Sequence, residues 1–254
     1  MIDSFLLSLI TAIFVGGATA YLGSLMIAKR MALVGDALGH VALPGMGLAL
    51  LLGLNVSLGA FIFLILGILL IWYFEMKTSL PMETIVGVVF VTSLAIGFLI
   101  VPEVELLEAL FGDISKVSLG GAVLSVVLSF VSIFFINMIY SKLVMANISE
   151  DLAKAEGINV KKYNLIYLLL IAVVVALGIK VTGTLLVGAL VIVPAAAAKN
   201  FSKNLGQYTY GSLVIGAISS VIGMLLYNLT GFPAGPLIVL VSCVFFLISL
   251  IWKR

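Results

Sequence analysis

The chain has 254 residues, of which 63% are hydrophobic and 9% charged, and its formal net charge is +2. A soluble domain carries about 25% charged residues, and no soluble core of this size hides so much apolar surface. That excludes a soluble enzyme or carrier, and so small a net charge gives no reason to expect nucleic acid as a partner.

Lipid removes the need for a polar exterior, and a helix crossing it needs about 20 mostly apolar residues. Nine apolar runs meet or approach that length. They are Phe5–Ala28, Met31–Leu54, Val56–Met76, Thr84–Val101, Val117–Met145, Leu165–Ile179, Thr184–Ala198, Tyr208–Leu229 and Pro236–Trp252. The first lacks a basic flank and a small-residue cleavage site, so it reads as a span and not as a cleaved signal. The seventh is short and follows the sixth closely. Eight full spans plus a broken or re-entrant segment is therefore an open alternative to nine spans. The expected fold is all-α: a polytopic integral membrane helical bundle forming a single domain over residues 1–254, with no appended soluble unit.

Orientation follows from the basic residues. With the N-terminus outside and the C-terminus in the cytoplasm, eleven of the thirteen fall on the cytoplasmic side, and only Lys116 and Lys180 fall outside. The acidic stretch from Glu103 to Asp113 then faces outward, as a solvated loop or as a surface that gathers cations or docks a delivery protein. Cys243 is the sole cysteine, so there is no internal disulfide and no cysteine-based metal cluster. The spacing Gly16-x-x-x-Ala20-x-x-x-Ser24 allows close helix packing within the fold.

Three segments carry candidate chemistry. In GDALGHVALPG, residues 35–45, Asp36 and His40 stand four apart and share one helix face. An ionised Asp costs about 2.5–3.5 kcal/mol at a bilayer centre on insertion scales, a cost tolerated where the group is paired, wet or useful. A carboxylate and an imidazole suit a first-row divalent cation, and two such pairs from two subunits would supply an N2O2 set. The residues alone leave two other readings open: an internal Asp–His hydrogen bond, and an Asp36 placed at the cytoplasmic interface. An intramembrane acid–base enzyme is disfavoured because no nucleophile motif, HExxH or Asp pair accompanies these residues. Pro44 and Pro194 mark helix breaks near the pathway.

The second segment runs through Ser149, Glu150, Asp151, Leu152, Ala153, Lys154, Ala155, Glu156 and Gly157. Ser149 is a good N-cap, the two acids favour a helix N-terminus, and Gly157 suits a left-handed end. Two helical turns are not stable alone, so this helix docks on its own fold or on a partner. The third, residues 183–198, is rich in small residues and fits tight packing around a pathway.

The blocks VGDALGHVALPG (34–45), ISEDLAKAEGINV (148–160) and VTGTLLVGALVIVPAAAAKN (181–200), with the weaker LFGDISKVS (110–118), resemble the membrane permeases of ABC importers for zinc, manganese or iron. They occur in that family's order across essentially the whole chain. Gly39 stands where family members more often carry Ser, a small-for-small difference. The resemblance implies a multi-pass protein of a prokaryotic cell membrane. It implies a homodimer bound to separate cytoplasmic ATP-binding subunits and supplied by an extracellular metal-binding protein. The chain itself would then be no enzyme and would hold no permanent cofactor, its divalent metal being cargo. Asp36 and His40 would line the path as a transient cation site, and 149–157 would be the coupling helix. The absence of a phosphate-binding loop agrees with a separate ATPase. A permease for chelated iron or a vitamin, or a secondary transporter, is the alternative function.

Overall fold

The computed structural model describes residues 4–101, 109–112, 114 and 117–251. Nine helices of more than one turn occur among them, and no strand. They are α1 (Ser4–Ala28), α2 (Ala32–Leu51), α3 (Val56–Lys77), α4 (Met82–Ile100), α5 (Leu119–Ile148), α6 (Glu150–Ala155), α7 (Val160–Phe201), α8 (Leu205–Thr230) and α9 (Ala234–Ile251). All but α6 are long and apolar enough to cross a membrane. Side-chain caps set several starts: Asn55, Ser118, Ser149, Asn159 and Asn204 each accept a hydrogen bond from the backbone N–H three residues on.

The division of residues 164–198 is resolved by one glycine. α7 counts 42 residues, about 63 Å if straight and twice the hydrocarbon thickness. It is not straight. Gly183 adopts φ 76° and ψ 176°, a conformation essentially confined to glycine. Val187 then lies against Gly178, although nine residues of straight helix would separate them by about 13 Å along the axis. α7 is thus two arms, 160–182 and 184–201, folded back at Gly183. A Cβ there would run into the carbonyl of Leu110 and come within 2.5 Å of the Gly112 nitrogen, so the apex is seated on the backbone of 110–112.

Two sequence expectations need correction. Neither Pro44 nor Pro194 breaks its helix: α2 is continuous through Pro44, and the second arm of α7 is continuous through Pro194. Each proline forfeits one i−4 bond, which a packed membrane bundle tolerates, whereas Gly183 abandons helical dihedrals altogether. The expected acidic loop, Glu103 to Asp113, lies largely outside the described residues.

α7 is central and packs on α1, α2, α3, α5, α8 and α9. The Gly16 stripe packs inside the chain: Gly216 of α8 meets the Gly16 carbonyl and the Ala20 Cβ. α2 and α3 cross in the same way at Gly45 and Gly59. By contrast α4 is mostly exposed, with Phe98, Leu99 and Val91 on its outer surface, a face suited to lipid or to a second apolar subunit.

Candidate metal site

Asp36 and His40 stand on α2 where it meets the second arm of α7. The meeting is close because small residues alternate across it. A Cβ on Gly35 would meet Val191, and one on Gly39 would lie 2.6 Å from Val187 Cγ1 and 2.7 Å from the Thr184 carbonyl oxygen. From the other side, a Cβ on Gly188 would stand 2.5 Å from Asp36 Oδ1 and 2.6 Å from Asp36 Cβ. The carboxylate therefore lies directly over the second arm, five residues past the Gly183 fold. It is placed there by packing, one turn into α2, and is half-buried.

His40 is 9% exposed, and its ring meets Phe90 of α4 edge-on at 5.2 Å. Its Nδ1 is buried and makes no hydrogen bond. An internal Asp36–His40 hydrogen bond through that atom is therefore not formed. A buried polar atom without a partner costs about 1–3 kcal/mol, and this nitrogen is free to take a bond from water or to meet a cation. Pro44 has no N–H to offer the His40 carbonyl four residues earlier. Thr184 Oγ1, likewise buried and unpartnered, lies on the arm facing α2.

The donor set fits a divalent cation in kind but not in number. Among the described residues no group of three His, Cys, Asp or Glu side chains comes together. One chain thus brings one carboxylate and one imidazole, and a transported ion would take its remaining donors from water or from a second copy. Thr184, Gly188 and Phe90 are absent from the sequence reading of this site. The sequence reading reached Thr184 and Gly188 only as part of the small-residue segment 183–198, without pairing them with Asp36 or His40.

The 149–157 segment forms as expected. Ser149 Oγ accepts from the Leu152 N–H at 3.2 Å. Gly157, at φ 74°, ends the helix with bonds from Gly157 N to Lys154 O at 3.0 Å and from Ile158 N to Ala153 O at 2.9 Å. Only Ala153 is buried in α6, while Leu152 is 52% and the adjoining Ile148 76% exposed. Glu150 pairs with Lys154 at 2.9 Å on the solvent side and raises the lysine pKa.

The chain is 31% identical over 246 residues to the manganese import system permease protein ScaB of Streptococcus parasanguinis, covering 95% of this chain and 88% of that protein. It is 32% identical over 257 residues to the high-affinity zinc uptake system membrane protein ZnuB of Buchnera aphidicola, covering 98% of both. Among solved structures it matches PsaBC from Streptococcus pneumoniae in complex with Fab, with TM-score 0.85, 31% identity, and coverage of 98% of this chain and 91% of that one. The model of the ABC 3 transport family matches residues 1–253, and the chain belongs to that family.

Proposed function

We propose that this chain is the membrane permease of an ATP-driven importer that moves a divalent metal cation, zinc or manganese with iron as a third candidate, into the cytoplasm. The observation that carries the reading is the Asp36–His40 pair. The Asp36 carboxylate lies against Gly188 on the second arm of α7, and four residues on, a buried imidazole nitrogen has no partner within the chain. Relatives named for manganese import and zinc uptake support the substrate class.

The permease is a multi-pass protein of the plasma membrane, formed as one domain over 1–254, with its N-terminus outside and its C-terminus in the cytoplasm. Two copies stand side by side so that both Asp36–His40 pairs reach one path. A separate ATP-binding subunit docks on α6 through Leu152 and Ile148, and an extracellular metal-binding protein delivers the ion. Two carboxylates and two imidazoles with water bind a cation firmly enough for it to enter and loosely enough for it to leave. Pro44, through the freed His40 carbonyl, and the arm of α7 bearing Pro194 border the same path.

The test is uptake of radioactive zinc and manganese by cells making the permease with its ATPase and binding protein, wild type against His40→Ala at matched membrane level. Loss of uptake of one metal, with the complex assembled, is expected and names the cargo. Undiminished uptake returns His40 to a structural role.

A further inference from the structure

Asn164, in the first turns of α7, ties three segments with one amide. Its Oδ1 accepts from Lys29 Nζ at 2.7 Å, and its Nδ2 donates to Glu75 Oε1 and Oε2 at 3.2 Å each. An ammonium only donates and an ionised carboxylate only accepts, so the two partners fix which way the amide points. Lys29 lies in the short turn between α1 and α2, and Glu75 in the last turn of α3. Further polar contacts surround this joint. Lys29 Nζ stands 5.1 Å over the Tyr167 ring, Asn147 Nδ2 of α5 donates to Ala28 O at 3.1 Å, and Lys142 Nζ donates to Tyr163 OH at 2.7 Å.

These contacts bind the end of α5 and the start of α7, the two elements that flank α6, to the turn that launches α2. That turn has no slack. Met31 N bonds back to Met26 O at 2.8 Å, and Arg30 is held at φ 58°, a left-handed conformation that a side chain rarely adopts. α6 itself buries only Ala153, so a push on it is borne by the neighbouring helix ends.

We infer that Asn164 is a positioning residue for transport, its amide carrying the displacement of α6 across Lys29 and Glu75 into α2 and the Asp36–His40 pair. Asp36 is four residues past Ala32, where α2 begins, about 6 Å along the helix. The inference rests on reading α6 as the ATPase-docking helix.

The test uses the complete importer in proteoliposomes and reads three quantities: ATPase co-purification, ATP hydrolysis, and radioactive zinc or manganese moved per ATP. Asn164→Leu keeps the volume and removes both hydrogen bonds. The expected result is an assembled complex that hydrolyses ATP but moves about fivefold less metal per ATP, or less still, within the usual range of coupling energies. Asn164→Asp alone sets two carboxylates face to face and uncouples likewise. Asn164→Asp with Glu75→Gln restores the pattern, with the Lys29 ammonium and the introduced amide at position 75 both donating to the new carboxylate, and recovers the ratio. A wild-type ratio in Asn164→Leu overturns the inference. So does a double variant no better than Asn164→Asp, the comparison that decides if Asn164→Leu fails to assemble. Leu152→Asp separates the two readings: an ATPase still bound to it sinks the docking role of α6, whatever Asn164 does.

Discussion

Replacing Gly188 with alanine tests the geometry of the proposed cation pair without changing Asp36 or His40 themselves. The added methyl would stand 2.5 Å from Asp36 Oδ1, 2.6 Å from its Cβ and 2.7 Å from its Cα. Carbon atoms in contact prefer about 3.5–4.0 Å, and the Cα is backbone that no rotamer change can withdraw. α2 and the second arm of α7 must therefore part by about 1 Å at the carboxylate. Overpacking of this kind costs about 1–3 kcal/mol, and each 1.4 kcal/mol is tenfold. If most of that cost falls on the occupied site, metal uptake drops roughly tenfold or more while the permease is still made and inserted. Gly87→Ala on α4 is the control, since nothing lies within 4 Å of a Cβ there. The assay is radioactive metal uptake against metal concentration at matched membrane level. Uptake in Gly188→Ala equal to that of Gly87→Ala would refute the claim that this helix contact positions Asp36.

Gly157→Val should cut transport while ATP turnover continues. Its φ of 74° is strained for a β-branched residue by about 1–2 kcal/mol, and nothing within 4 Å offers any other cause. Measured in the reconstituted importer, unchanged turnover together with unchanged transport would remove α6 from the coupling path. Lys29 gives a pH signature: burial pushes its pKa down to about 8, against the opposing pull of Glu75. An unfolded lysine titrates near pH 10.4, so between about 8 and 10.4 the unfolded chain holds a proton that the folded chain has released. Its contribution to stability therefore rises with pH through that window and is flat below it. Thermal melting in detergent should show this rise in wild type and lose it in Lys29→Met, and parallel melting curves from pH 7 to 10 would contradict it.

What can be read from sequence is what local chemistry decides. Ser149 and Gly157 announce α6 because a cap and a left-handed glycine act within a few residues. Apolar length locates every crossing segment to within a few residues of its helix. The small residues at 16 and 20 find their partner inside the fold, at Gly216 of α8. The errors come where the backbone is held by distant partners. Proline chemistry points to breaks, yet Pro44 and Pro194 lie inside helices, because neighbouring helices stabilise α2 and α7 around them. The gap between the apolar runs at Ile179 and Thr184 marks the break, but not its shape: the fold at Gly183 depends on the seat offered by Leu110 and Gly112, more than seventy residues earlier in the chain. The pairing of Asp36 with Gly188, and of Asn164 with both Lys29 and Glu75, is invisible for the same reason.

The fold at Gly183 also sets a gear ratio. The second arm of α7 has no linker at its apex, only one pair of dihedral angles, so any tilt of the arm would pivot about that residue. Phe201 lies 18 residues from the pivot, about 27 Å, while Gly188 lies five residues away, about 7.5 Å. A 1 Å displacement of the far end is therefore reduced to about 0.3 Å beneath Asp36. Coarse movement at the far end would become fine adjustment beneath Asp36, on the scale at which a metal–oxygen distance would be tuned at the proposed site.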